Sequence, residues 1–216
     1  MAKETFVCLA NSRKLGGRCL AGILLVRNED RWEVKRDRPD NPLWIRPVAR
    51  ESNGELSYSL VSSYKLLDIL EVENLEACPS PPQTENIYFD HTSLRKIDSF
   101  PISRIDDLLD VNNRFIFSND KLFVPSNTPL TFSLMFVKTE RSNAYLKLRE
   151  GKPPQPRLTF EWKSKAYNLP ITDEQFCTLF DANPEQFNGK TFYITISLGE
   201  EYGDKRFKLI AGIIYV

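Results

Sequence analysis

The chain has 216 residues, 41% of them hydrophobic and 27% charged, with 29 lysines and arginines against 29 aspartates and glutamates. That length accommodates one large domain or two of about 100 residues, and the composition argues against intrinsic disorder. The balanced charge removes any long-range pull of the whole molecule on a polyanion, but residues 1–50 hold 11 basic against 6 acidic, 51–134 hold 6 against 13, and 135–216 hold 12 against 10. In chain order, Thr5–Leu9, the turn-forming stretch 11–17 and the apolar run Cys19–Val26 read as strand, turn, strand, with Gly22 marking a bulge or bend. Further strands are expected at Leu43–Val48, Leu56–Val61, Ile87–Asp90, Phe115–Phe117, Thr131–Lys138, Tyr145–Arg149, Arg157–Trp162, Thr191–Ser197 and Leu209–Val216. The apolar residues of Tyr64–Leu75 fit a helix face nearly as well as a strand, and the β-rich surroundings favour a strand. Proline-rich breaks at 79–82 and 153–156 read as loops.

Two short helices are expected. Thr172 and Gln175 form a capping box before Phe176, Leu179 and Phe180, and Ser103 with Asp106 starts a second over Arg104–Asp110. Many short strands between turn residues predict a mainly β protein of two tandem small barrels, divided as 1–115 and 116–216. The runs Cys19–Val26 and Leu209–Val216 share Ala-Gly-Ile at their centres, as an internal duplication would leave and as chance between two apolar strands would also give.

The chemistry-bearing motifs are mostly absent. There is no phosphate-cradling glycine loop, no GxSxG elbow and no HExxH, and His91 is the only histidine. It reads as a turn residue. Cys8, Cys19, Cys78 and Cys177 form no CxxC pair, which argues against a structural zinc site. Asp106 and Asp107 are adjacent and point apart, so they make a poor chelator. No signal-peptide pattern or membrane-length apolar run is read, and the expectation is a reduced, cytoplasmic, non-catalytic protein without cofactor, metal or membrane partner.

Binding signals are stronger. Arg13, Lys14 and Arg18 surround two glycines, a combination suited to phosphate oxygens. Arg31, Trp32, Lys35, Arg36, Arg38 and then Trp44 and Arg46 interleave cations with flat rings, as a single nucleic-acid strand requires. Lys147, Arg149, Lys152 and Arg157 surround the proline-rich stretch, a weaker signal because neighbouring acids nearly balance it. The expected binding set is therefore Arg13, Lys14, Arg18, Arg31, Trp32, Lys35, Arg36 and Arg46.

Several motifs resemble a bacterial family of dual-OB-domain proteins: Phe-Val-Cys-Leu-Ala-Asn-Ser-Arg-Lys at 6–14, Gly-Arg-Cys-Leu-Ala-Gly at 17–22, Trp-Ile-Arg-Pro-Val at 44–48 and Gln-Thr-Glu-Asn at 83–86. Leu-Pro-Ile-Thr-Asp at 169–173, Ile-Ser-Leu-Gly-Glu at 196–200 and Lys-Leu-Ile-Ala-Gly-Ile-Ile at 208–214 extend the resemblance over nearly the whole chain. It implies two OB-like barrels, a fold that often binds oligonucleotides, and a place in bacterial defence or conflict loci. The chain is therefore expected to be a non-catalytic module that binds single-stranded nucleic acid; the alternative, which the zero net charge favours, is an adaptor that holds a neighbouring enzyme, and fold alone decides neither.

Overall fold

The computed structural model describes residues 3–14, 16–38, 41–51 and 53–216; the side chain of Arg38 lies outside what is described. The chain divides into two compact units, 1–112 with 130–133, and 113–129 with 134–216.

The first unit is built on β1 (Lys3–Lys14), β2 (Gly17–Asn28), β3 (Arg31–Val34), β4 (Arg36–Arg38), β5 (Asn41–Pro42) and β6 (Trp44–Pro47). The one-turn helix α1 (Tyr58–Val61) follows, then β7 (Asp68–Glu73), β8 (Glu76–Ala77), β9 (Asn86–Tyr88) and β10 (Arg95–Ser99). β1 pairs antiparallel with β2 and β7, β2 with β6, and β6 runs parallel to β9. The fifth barrel strand is split: β9 serves β6, and after the turn His91–Ser93 the chain returns as β10 to pair with β7. Strands one to five are thus β1, β2, β6, β7 and β9 with β10, and the helix falls between three and four, the connectivity of an OB barrel.

Alternation along these strands fills both faces. Phe6, Cys8, Leu70 and Ile45 join one buried cluster inside the barrel. On the opposite face Ile69, Val7, Ile23 and Trp44 form a cross-strand row, of which the first three are fully buried. Gly22 is required where β1 carries its bulge between Cys8 and Ala10. A Cβ there would meet the Val7 carbonyl oxygen at 2.0 Å and Phe6 Cδ2 at 2.7 Å. Because the first obstacle is backbone, Gly22→Ala is expected to destabilise the barrel by about 3 kcal/mol, seen as a lower urea midpoint at unchanged slope.

The second unit contains β11 (Phe123–Pro125), β12 (Leu134–Lys138), β13 (Glu140–Arg149), β14 (Lys152–Trp162), β15 (Lys165–Pro170), α2 (Glu174–Ala182), β16 (Phe192–Glu201) and β17 (Lys205–Tyr215). β12 pairs with β16, and past Thr139 the chain continues as β13 to pair with β14, so one bent strand serves two sheets. β14 pairs with β15, β16 with β17, and a parallel bridge from Ile171 to Ile210 closes the circuit. The helix again lies between strands three and four. Asp173 caps it, accepting from Phe176 N at 3.0 Å, while its other oxygen accepts from Ile213 N at 2.9 Å. Phe176, Phe180, Phe187 and Phe192 pack together beneath it.

Local expectations fail where a side chain or a turn outweighs pattern. Asp173, not Thr172, is the cap, because the Thr172 hydroxyl donates to Ile210 O at 3.0 Å. Leu179 is 44% exposed, outside the face shared by Phe176 and Phe180. The helix expected near Ser103 is a 3-10 helix, Ile102–Leu108. Leu56–Val61 is no strand: Leu56 bridges Arg18 through two backbone bonds of 2.8 and 2.9 Å, and α1 follows. Phe115–Phe117 is irregular, with Phe117 at φ +60°. The proline-rich stretch 153–156 is strand rather than loop. The Ala-Gly-Ile repeat falls on β2, the second strand of one barrel, and on β17, the fifth of the other. These are not equivalent positions, so the repeat is no trace of the duplication; what its glycines share is a place beside a register shift.

Candidate functional site

In the first barrel β1 runs on to Lys14, so the expected loop at 11–17 is mostly strand. Asn11 and Ser12 are buried, and the Asn11 amide donates to Val61 O at 2.8 Å and Tyr64 O at 3.1 Å. The turn itself is short, with Gly16 at φ +86° and Leu15 outside the described residues. Arg13 is exposed at its edge and Lys14 reaches the Asn53 carbonyl. Arg18 lies directly across from Arg13 but is only 6% exposed, its guanidinium 4.9 Å from the Tyr58 ring. Its charge is therefore held under that ring and away from the turn.

The basic and aromatic segment that follows meets its own acids. Arg31 is exposed and bonds Glu33 at 2.6–2.8 Å, and Lys35 pairs with Glu4 at 3.0 Å. Hydrogen bonds from Asn28 and Arg31 hold the Glu33 carboxyl below the usual range. The Trp32 indole N–H donates to Asp98 at 2.8 Å, with the Arg27 guanidinium 4.9 Å from the ring. That bond is the main reason the Asp98 carboxyl is also lowered. Arg36 donates to the Asp107 carbonyl, and Arg104 donates to the Trp32 carbonyl while pairing with Asp107. Arg31 and Lys35 are thus paired with acids of the same N-terminal segment, Glu33 and Glu4, while the middle segment holds Trp32 through Asp98 and Arg36 through the Asp107 carbonyl.

Arg46 is overturned as a contact residue. It is 3% exposed, pairs with Glu85 at 3.0 Å and donates to the Ser133 hydroxyl at 2.8 Å, which in turn donates to Glu85. A guanidinium enclosed in this way is a structural tie for residue 133 and out of reach of a nucleic-acid strand.

The second barrel projects a feature the sequence ranked lower. β15 covers β14 only from Arg157 onward, so Leu146–Pro156 forms a two-stranded ribbon, about five residues and 16 Å long in each strand. Pro156 sits in it at no cost to the ladder, because its carbonyl faces away from β13 and accepts from Ile171 N at 2.9 Å, so its missing N–H lies on the same outer edge. That edge is also protected from pairing with another chain.

Tyr145, Lys147 and Arg149 share the outward face with Gln155 and Arg157. Arg157 is 7% exposed and held by Asn168 Oδ1 at 2.8 Å and Gln155 at 3.1 Å, while the Asn168 amide donates to the Tyr145 hydroxyl at 2.8 Å. Arg149 donates to the Pro153 carbonyl across the turn at 2.7 and 3.0 Å. Among the described residues no ion pair engages Lys147, Arg149 or Lys152, and residues 144–158 carry four cations against the single acid Glu150.

Lys208 is fully buried in this barrel, its ammonium bonded to Asn119 O at 2.6 Å and Oδ1 at 3.0 Å and standing 5.5 Å from the Tyr167 ring. Burial lowers its pKa to about 8, with Asp120 opposing the shift. From about pH 8 to 10.5 the unfolded lysine holds the proton that the folded one has lost, so this group makes stability rise with pH across that window. Thermal melts in that range are expected to give Lys208→Met a less positive slope of stability against pH than the wild type; the difference isolates this group from Cys78, Tyr64 and Tyr167, whose burial-raised pKa values act in the opposite sense. Among the described residues no group of three or more His, Cys, Asp or Glu is placed to hold a metal, and no helix is long and apolar enough to cross a membrane.

The family of dual OB-containing domains matches residues 4–213. The chain belongs to that family. No curated protein sequence matches it. Among solved structures, a murine DNA-binding protein bound to double-stranded DNA is 8% identical over 100% of this chain and 98% of that one, with a TM-score of 0.35. The p204 HINb domain is 6% identical over 99% and 95%, at 0.37, and the Ifi202 HINa domain in complex with 20-bp double-stranded DNA is 9% identical over 100% and 95%, at 0.35. Likeness of this order says nothing about what the dual-OB chain binds.

OB barrels carry ligands on the face of strands two and three and on the turns joining strands one to two and four to five. In the second barrel of this dual-OB protein those places are β14–β15, the ribbon tip and the β16–β17 turn, where Tyr202 is 80% exposed. In the first, Ile23 and Trp44 of the cross-strand row with Val7 and Ile69 occupy the outer face of β2 and β6, leaving the strand-one-to-two turn with Arg13 and Lys14 and the connection from β7 to β9. Sequence reading did not single out Gln155, Asn168, Leu148 or Tyr202. An alternating strand signal across residues 144–149 could have found Leu148.

Proposed function

We propose that this protein is a non-catalytic nucleic-acid-binding module, each barrel of which contacts single-stranded nucleic acid through its own first hairpin turn. Arg13 and Lys14 contribute from one turn, and Lys147, Arg149 and Lys152 from the other. The observation that carries this reading is the outward face of the ribbon, where three exposed cations outside ion pairs stand beside Tyr145 and the ordered Arg157, Gln155 and Asn168. Cations neutralise phosphates, and the aromatic ring and fixed amides offer bases a surface for stacking and hydrogen bonding. Arg31, Trp32, Lys35 and Arg36 are each bonded to other groups of the first barrel and are assigned no contact.

The test is fluorescence anisotropy against short single-stranded DNA, single-stranded RNA and duplex at about 50 and about 200 mM salt, the range in which phosphate contacts lose affinity steeply. Salt-dependent binding to a single strand supports the reading. Absence of binding at the lower salt overturns it and turns the search to a partner protein, the adaptor role.

A further inference from the structure

We infer that the tip of the β13–β14 ribbon is an apolar wedge that enters a stack of bases with Leu148. The inference rests on the nucleic-acid reading above and adds a mode of contact to it. Ala144, Leu146 and Leu148 share one face of β13, and Leu158, opposite Ala144, points into the barrel. Along this face the side chains pass from core to solvent: Leu158 is fully buried, Leu146 is 44% exposed and Leu148 81%. The inner, buried face of the barrel therefore runs out along the ribbon as an uncovered strip, with Pro153 and Pro154 exposed beside its end. A leucine this exposed, at a register shift between Lys147 and Arg149, contributes little burial to the fold of the chain that carries it.

What surrounds the strip selects the occupant. Lys147 and Arg149 alternate with Leu146 and Leu148, so every apolar side chain has a cation one residue away on the opposite face, and Lys152 pairs with Arg149 across the turn. A surface presenting apolar groups on one side and positive charge on the other fits a polymer with an apolar interior and an anionic edge, as stacked bases and phosphates are. Leucine and proline are among the side chains that part base steps in this way. The ribbon is held on both sides of the tip: Leu146 and Lys147 pair with Pro156 and Gln155, Arg149 pairs with Lys152 beyond a register shift at Leu148, and the Arg149 guanidinium braces the turn against the Pro153 carbonyl.

The test uses the full chain and short oligonucleotides, single-stranded and duplex, carrying 2-aminopurine, whose fluorescence rises when it leaves a stack; anisotropy is read on the same samples. The expected result is a several-fold rise at saturation with the wild type. With Leu148→Ala more than half of that rise disappears, while affinity stays within about threefold and the salt slope, which counts phosphate contacts, is unchanged. Saturation of the wild type without a rise, or a full rise with Leu148→Ala, overturns the wedge while leaving the binding function standing. Absence of binding in anisotropy overturns both. A concentration-dependent dimer in sedimentation, abolished by Leu148→Ala, would also overturn the wedge by assigning the strip to a second copy of the chain.

Discussion

Arg46→Ala is expected to destabilise the first barrel by about 3–5 kcal/mol, because it leaves the Glu85 carboxylate buried without its main countercharge. Both side chains are nearly enclosed, at 3% and 5% exposure, and the Ser133 hydroxyl is shared between them. Breaking one partner of such a pair costs more than removing both, since the cost lies in the charge left behind. The double variant Arg46→Met with Glu85→Gln, which keeps a neutral acceptor for Ser133, is expected to recover much of the loss. Urea unfolding of the two variants checks this. A loss below about 1 kcal/mol in Arg46→Ala would mean that the cluster is solvated and Arg46 reachable from outside, returning it to the set of contact candidates.

The second large effect concerns binding. Replacing Lys147, Arg149 and Lys152 together by alanine is expected to lower the slope of log affinity against log salt by about 2 to 3, from roughly 0.7 to 0.9 per phosphate contact. Affinity at about 50 mM salt should fall by at least tenfold. Stability should stay within about 0.5 kcal/mol of wild type, because all three side chains are exposed. Arg13→Ala with Lys14→Ala is expected to remove a smaller share of the slope, two contacts against three. Arg31→Ala with Lys35→Ala should leave the slope nearly unchanged, since these cations already have Glu33 and Glu4 as partners.

The contrast between these variants shows which parts of the protein are legible in its sequence. Strands such as Cys19–Val26 and Arg157–Trp162 are evident because alternation and apolar runs are local properties, and the barrel class follows from their number and spacing. Much of the pairing that decides the site is not local. Trp32 and Asp98, or Arg46 and Glu85, are separated by many residues, so a basic and aromatic segment reads as a binding strip until the fold brings its acids to it. The reverse error affects the ribbon. Lys147, Arg149 and Lys152 look diluted when charge is counted over residues 135–216, yet the ladder gathers them at one tip with a single glutamate. The three prolines at 153–156 read as a break because proline removes a backbone donor; Pro156 is absorbed on an outer edge, and Pro153 and Pro154 lie where the register shifts opposite Lys147–Arg149. The Ala-Gly-Ile repeat misleads for another reason: strands that bend beside a bulge use similar residues wherever they occur.

The central claim, that nucleic acid is held by the ribbon of the second barrel and the hairpin turn of the first, is tested most directly by backbone amide NMR of the full chain titrated with a short single-stranded oligonucleotide. The account predicts shift changes concentrated at Tyr145–Gln155 and around Arg13, Lys14 and Gly16, with Arg46 and the strip from Arg31 to Arg36 unmoved. Changes confined to the β3–β4 region, or none at the ribbon at saturating oligonucleotide, would contradict it.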